Sequence, residues 1–107
     1  MNEVLLVKHA VGGRTFIHTG NNPLEYFVSN QGEGWRFIIK VGLDENVQEI
    51  LKWKTELNVF LFQDYEDLPT KKIWFYTKGI VDYNEQAQEL SIEAESKIEY
   101  VPDEFSK

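Results

Sequence analysis

Two alternating segments near the C-terminus constrain the fold more than any other feature of the chain. They read KKIWFYTKGIVDY (71–83) and QELSIEAESKIEY (88–100), and apolar and polar residues alternate along both. Period-two alternation is typical of strands that bury one face, and the polar segment NEQA between them has a common hairpin-loop length. The pattern therefore predicts an antiparallel hairpin that ends the fold.

A register for this hairpin follows if Tyr83 faces Gln88. The apolar face would then pair Val81 with Leu90, Gly79 with Ile92, Thr77 with Ala94 and Ile73 with Ile98. The polar face would pair Lys78 with Glu93, Trp74 with Lys97 and Lys72 with Glu99, and would set Asp82 against Glu89. A pair of opposite charges across two strands contributes up to about 1 kcal/mol. Lysines of the first strand are therefore predicted to form cross-strand charge pairs with some of the glutamates that line the second strand.

The N-terminal part of the chain contains the signals of two further hairpins. Residues 3–10 and 14–19 have strand-like composition and are separated by Gly12-Gly13. Residues 24–29 and 35–42 flank the glycine-containing segment NQGEG. Glycine-rich connections of this length favour hairpins, so two successive strand pairs are expected.

The segment after these strands can be interpreted at two periods. Val47, Ile50 and Leu51 follow Asp44 at helical spacing, and aspartate is a good N-cap, which predicts a helix over 44–55. The alternative is one long strand, since most apolar residues between 47 and 61 are odd-numbered. We prefer the helix, followed by a central strand from Leu57 to Gln63 that is covered on both sides.

Together these elements predict an α+β fold in one domain, residues 1–107. The fold would be mainly an antiparallel sheet, or a partly closed barrel, of about six strands with one helix at 44–55. No repeat or linker divides the 107 residues, and 42% of them are hydrophobic, which suits a single core.

The acidic residues are concentrated late in the chain. The net charge is −7, yet residues 1–43 carry four basic and three acidic groups, whereas the last 26 residues carry eight acidic and two basic groups. Such a field repels nucleic acid and anionic membranes and favours a basic protein partner. The N-terminus resembles neither a signal peptide nor a membrane span, so a cytoplasmic location is expected.

Sequence signatures of catalysis and cofactor binding are missing. The chain has no G-x-S-x-G, H-E-x-x-H or P-loop motif, and no cysteine. The segment Gly32-Glu33-Gly34 begins like a dinucleotide-binding loop, but Phe37 occupies the position of the third glycine. The segment Asp44-Glu45-Asn46 begins like a calcium-binding loop, but Glu49 occupies the position of the obligatory glycine. His9 and His18 are the only histidines and are expected to be ordinary residues. No catalytic, cofactor or metal site is predicted, and an enzyme is not expected.

The polar face of the last hairpin is the candidate functional surface. Large apolar groups on it need either a helix packed over them or a binding partner, and the packed arrangement is the one we expect. If the face is exposed, its aromatic and acidic groups would bind a partner. The candidate partner-binding residues are Trp74, Tyr76, Ile80, Asp82, Glu85, Glu89, Glu93 and Glu95.

Three functions are compatible with these features. The first is a non-catalytic protein-binding module, such as an inhibitor, an immunity-type protein or a phage or accessory assembly protein, that engages a more basic protein. The second is a small β-barrel that binds an apolar ligand among its 15 aromatic residues, and the third is an enzyme with an unrecognised site. The first is favoured because a short acidic β-rich chain without catalytic signatures suits it.

Overall fold

A computed structural model describes residues 2–100 and contains one helix and seven strands. The strands are β1 (Asn2–His9), β2 (Thr15–His18), β3 (Tyr26–Gln31), β4 (Gly34–Lys40), β5 (Leu57–Tyr65), β6 (Leu68–Asn84) and β7 (Glu89–Tyr100), and the helix is α1 (Glu45–Lys52). The predicted α+β class with a mainly antiparallel sheet is confirmed, with seven strands instead of about six.

All seven strands form one antiparallel sheet in the order β2-β1-β5-β6-β7-β4-β3. The sheet curls into a half-barrel, so it has a concave and a convex side. The central strands β5, β6 and β7 join two hairpins that come earlier in the sequence. Strands β2 and β3 are the two edges of the sheet.

Both N-terminal hairpins are present where the glycines predict them. In the first, β1 pairs with β2 around Gly12 and Gly13, which have φ angles of 84° and 74°. In the second, β3 pairs with β4, and Gln31 lies opposite Gly34, so the loop contains only Gly32 and Glu33. Gly32 has φ 63°, a value that glycine adopts without a steric cost.

The concave side of the sheet carries the hydrophobic core. Fully buried side chains alternate along the strands, as in Leu5 and Val7 of β1 and Phe37 and Ile39 of β4. The rings of Phe37 and Phe75 meet edge to face, with their centroids 4.7 Å apart. We call this side the core face and the opposite side the outer face.

Helix α1 packs on the core face. Val47 and Ile50 are fully buried in the core cluster, and the Asp44 carboxylate accepts a hydrogen bond of 2.8 Å from the backbone N–H of Val47. The predicted helix and its N-cap are confirmed, although the helix ends at Lys52, not at residue 55. The alternative of one long strand over this segment is wrong.

Strand β5 is central, as predicted, but it is buried on one side only. Val59 and Leu61 point into the core, whereas Phe60 and Phe62 lie on the outer face and remain half-buried. The prediction of cover on both sides is wrong, because the helix packs on the core face and no second layer lies over β5 among residues 2–100.

The C-terminal hairpin is confirmed, but its predicted register holds at one pair only. Thr77 faces Ala94 as expected. Near the loop, residues 81–84 of β6 pair with residues of β7 that lie two positions further along the chain than predicted. At the other end of the hairpin, which we call the open end, residues 72–76 pair one position further along than predicted. The observed pairs include Val81 with Ile92, Asp82 with Ser91, Trp74 with Ile98, Ile73 with Glu99 and Lys72 with Tyr100. The predicted pairs of the polar face are therefore wrong: Asp82 with Glu89, Lys78 with Glu93, Trp74 with Lys97 and Lys72 with Glu99.

Two irregularities between β6 and β7 cause these differences. Residues 78–80 of β6 lie between the pairs Thr77–Ala94 and Val81–Ile92, which shifts the register by two positions, and Glu95 of β7 lies between the partners of Tyr76 and Thr77, which shifts it by one. Gly79 has φ 80°, which suits glycine at a bulge. A shift of one residue exchanges the two faces of a strand. Lys97 and Glu99 therefore lie on the core side of the open end, and Ile98 lies on the outer face.

The core of the sheet gives a test of this arrangement. Replacing Phe37, which is fully buried, by alanine should cost about 3–5 kcal/mol in the free energy of unfolding, because it leaves a cavity against Phe75. Phe27→Ala on the neighbouring strand is the matched control, since 52% of the Phe27 side chain is exposed, and it should change stability by less than about 0.5 kcal/mol. Urea denaturation measures both; equal losses would contradict the assignment of faces.

Candidate protein-binding surface

Four aromatic rings form a contiguous group on the outer face, which we call the outer aromatic surface: Phe60, Phe62, Trp74 and Tyr76. The ring centroids of Trp74 and Tyr76 are 4.9 Å apart, and Phe60 stacks on Trp74 at 5.9 Å. The indole N–H of Trp74 donates to the Asn58 side chain at 3.2 Å. The rings therefore hold one another in fixed positions on two adjacent central strands.

A cation and aliphatic side chains surround this group. Lys72 Nζ lies 4.7 Å from the Phe60 ring centroid and 5.3 Å from that of Phe62, within the range of a cation–π interaction. Val4 and Leu6 of β1 lie beside these phenylalanines across the sheet, and Ile98 of β7 lies opposite Trp74 with 46% of its side chain exposed. The apolar surface thus extends over four adjacent strands.

No described element covers the outer aromatic surface. Helix α1 packs its apolar residues into the core face and contacts β2 and β6 from that side. The expectation that the helix packs over Trp74 and Tyr76 is therefore wrong. Both side chains keep partial exposure because only the neighbouring side chains of the sheet bury them.

The remaining candidate residues of β6 continue the same side of the strand. Beyond Tyr76 come Ile80, whose side chain is 46% exposed, and then Asp82; Glu85 follows in the loop, and both acids are exposed. The outer side of β6 therefore runs from an aromatic to an acidic end. We call this line of residues the β6 strip.

Cations on β4 pair with two of the four glutamates of β7. Glu89 forms an ion pair with Lys40, and Glu93 lies 3.9 Å from the Arg36 guanidinium. Glu95 is exposed, and no ion pair involves it within residues 2–100. The file of glutamates is thus largely neutralised, and the exposed acids at the end of the β6 strip are Asp82 and Glu85.

A shallow groove of about 820 Å³ lies at this acidic end. Asp82, Glu85 and Glu89 line it together with Leu43, which is 43% exposed, and Leu51. Carboxylates beside exposed aliphatic groups can receive a side chain that has a positive head and an apolar stem. The groove therefore brings three of the candidate acidic residues together beside two leucines, with Arg36 also in its lining.

The open end of the core face has a second cavity, of about 470 Å³. Its polar groups bind one another: the Tyr26 hydroxyl donates to Glu3 at 2.6 Å, and the Gln63 amide donates to the other Glu3 oxygen at 2.8 Å. Burial and this bond to Glu3 raise the pKa of Tyr26. The contacts tie edge strand β3 to β1 and β5 across the mouth of the half-barrel.

An ion-pair cluster borders this mouth. Glu99 accepts from Lys71 at 2.5 Å and from Lys97 at 3.2 Å, and Lys97 lies 5.3 Å from the centroid of the Trp35 ring. The hydrogen bond from Lys71 is the main cause that lowers the pKa of Glu99 below its ordinary value of 4.5. The same bond raises the pKa of Lys71.

This pKa shift predicts a dependence of stability on pH. A carboxyl group whose pKa is lowered in the folded state stabilises that state above pH 4.5, and the contribution is lost as the pH falls through the folded-state value. Glu99→Gln should therefore lower the free energy of unfolding near neutral pH and have a smaller effect in acid. Glu95→Gln removes a carboxylate at an exposed position on the same strand that forms no ion pair within residues 2–100, and it is the matched control. Equal pH profiles for the two variants would contradict the pairing.

Both histidines have local structural contacts. His18 Nδ1 accepts from the backbone N–H groups of Gly20 and Asn21 at 3.1 and 3.2 Å. The His9 ring packs against the Trp53 ring in a tilted arrangement with centroids 5.2 Å apart, and His9 Nε2 lies 3.2 Å from the Glu56 carboxylate. Within residues 2–100, no group of three His, Asp or Glu side chains is arranged to hold a metal ion.

Sequence reasoning missed part of the outer aromatic surface. The prediction that β5 is covered on both sides buries Phe60 and Phe62. Their i, i+2 spacing places both on one side of β5, where they lie directly opposite Trp74 and Lys72 in the sheet. Ile98 was assigned to the apolar core face because the register was wrong. The alternation along β5 was the available signal, but it does not reveal which side the helix covers.

Comparisons with family models, with curated proteins and with solved structures find no match to this chain. Across the described range 2–100, no helix is long and apolar enough to cross a membrane.

Proposed function

We propose that this chain is a small, non-catalytic protein-binding module of the cytoplasm, which engages a more basic protein through the outer side of β6. The observation that carries the proposal is the outer aromatic surface, which no described element covers. Trp74 and Tyr76 would supply the apolar centre of the interface, and the acidic end of the β6 strip would supply its charge.

The arrangement of the aromatic rings supports this proposal. Protein interfaces bind mainly through a few tryptophan, tyrosine and arginine side chains surrounded by polar groups. Trp74 and Tyr76 lie on a central strand, and their contacts with Phe60 and Asn58 restrict their motion. Rings that are already fixed lose little conformational entropy when a partner binds.

The distribution of charge supports a basic partner. Asp82 and Glu85 are exposed at the end of the strip, and the whole chain carries −7. A positively charged partner would be attracted over distances up to the Debye length, about 8 Å at physiological salt. Leu43 beside these acids gives the apolar part of a lysine or arginine stem a place to pack.

The aromatic centre can be tested by replacing Trp74. Proteins from the native lysate that bind immobilised wild-type chain are identified, and the affinity of the purified partner is then measured. Trp74→Ala should weaken binding at least about 30-fold, the loss expected at a hot spot of about 2 kcal/mol. Leu68→Ala is the matched control, because Leu68 is exposed to 65% at the far end of β6 and should leave the affinity unchanged.

Folding of the variants must be compared in the same experiment. Trp35 packs against the core and meets Phe75 edge on at 5.9 Å, so Trp35→Ala should lower the melting temperature more than Trp74→Ala does. A Trp74→Ala variant that is folded and binds the partner like wild type would refute the proposal. So would a melting temperature for Trp74→Ala as low as that of Trp35→Ala, since it would show that Trp74 serves packing.

The acidic end should control the rate of association with that partner. Asp82→Lys combined with Glu85→Lys should slow association at low ionic strength and flatten its dependence on salt, because it reverses charges that are exposed. Glu89→Gln with Glu93→Gln is the comparison, since these glutamates already pair with Lys40 and Arg36 and should matter less. Stopped-flow measurements over a range of salt concentrations distinguish the two. An unchanged rate for the lysine variant would refute the role of charge.

A further inference from the structure

Edge strand β3 is open to a further strand. It pairs with β4 on one side, and no strand within residues 2–100 pairs with it on the other. Residues 27–30 are exposed in an unbroken run, with Phe27 exposed to 52% and Val28 to 37%. The opposite edge, β2, has only four residues and lies against α1. The two edges therefore differ in their capacity to pair.

The register of β3 and β4 shows which backbone groups face outward. Lys40 N–H donates to the Glu25 carbonyl at 2.8 Å, and hydrogen-bonded pairs then alternate along an antiparallel ladder. Phe27 and Ile38 form one of the hydrogen-bonded pairs, so the backbone N–H and C=O groups of Phe27 point toward β4. The pairs without hydrogen bonds contain Tyr26, Val28 and Asn30, whose backbone N–H and C=O groups point away from the sheet.

The composition of β3 leaves this edge unprotected. Natural edge strands commonly carry charges, prolines or bulges that prevent pairing with another chain. The segment YFVSNQ contains no charged residue and no proline, and its ladder with β4 is regular over all six residues. In a chain of net charge −7, this uncharged strand is a place where two copies can approach with little repulsion.

We infer that β3 pairs antiparallel with β3 of a second copy of this chain. A two-fold axis through Val28 would set Val28 against Val28 and Tyr26 against Asn30 in both directions. Every outward-facing backbone group of these residues then has a partner, which makes the strand complementary to itself. The contact is small, so the dimer is weak and depends on concentration.

Amide hydrogen exchange followed by NMR tests this pairing at single residues. The Val28 and Asn30 amides should exchange more slowly as the protein concentration rises about a hundredfold, since they are protected only in the dimer. The Phe27 amide, already bonded to β4, should be protected at all concentrations. Sedimentation over the same range should show a shift from 12.6 kDa toward twice that mass.

Val28→Pro removes one outward N–H and leaves the hydrogen bonds between β3 and β4 in place. It should raise the dimer dissociation constant at least about tenfold without unfolding the domain. Val28→Thr keeps the N–H and the branched side chain, and it should still dimerise. A wild type that remains monomeric at the highest concentration overturns the inference, as does a dimer that forms equally well with Val28→Pro. The partner interface on β6 lies on other strands, so Trp74→Ala should leave this dimer intact.

Discussion

The one-residue register shift between Tyr76 and Thr77, where Glu95 is an extra residue of β7, determines which side chains of β7 each face of the sheet presents. On the loop side of it, Val81 pairs with Ile92 and both are buried in the core. On the other side, the register of β7 has shifted, so Lys97 points to the mouth of the half-barrel and Ile98 to the outer face. Without the shift, lysine would lie beside Trp74 and isoleucine in the mouth. The exposed Ile98 beside the outer aromatic surface and the ion-pair cluster at the mouth both depend on this one irregularity.

The position of the helix determines which face of the sheet remains uncovered. The sheet has two sides with apolar residues, and α1 is long enough to cover part of one. Val47 and Ile50 pack into the core face as part of the buried cluster, and the helix contacts β2 and β6 there. Among residues 2–100, the four partly exposed rings of the outer face pack on one another and on neighbouring strands. This distribution of apolar area is the basis of the binding role that we propose for that face.

Local patterns in the sequence predicted the elements but not their long-range arrangement. The Gly12-Gly13 turn, the Asp44 cap and the alternation in β6 and β7 each act within a few residues, and each gave the correct element. The predicted register of β6 and β7 is wrong because cross-strand pairs contribute at most about 1 kcal/mol each and do not reveal where a strand carries an extra residue. The cations that pair with Glu89 and Glu93 lie on β4, some fifty residues away, and no local pattern identifies them.

The order of strands in the sheet also bears on how the chain folds during synthesis. The hairpins β1–β2 and β3–β4 are local and can form as soon as they are made, yet they are not neighbours in the sheet, where β5, β6 and β7 lie between them. Strand β1 also pairs with β5, and strand β4 also pairs with β7; both partners come later in the chain. Until these partners are synthesised, one edge of each hairpin has no neighbouring strand. Contacts of this sequence separation slow folding, and waiting strand edges are prone to aggregate. We therefore expect nascent chains that lack β5 to β7 to need protection by a chaperone.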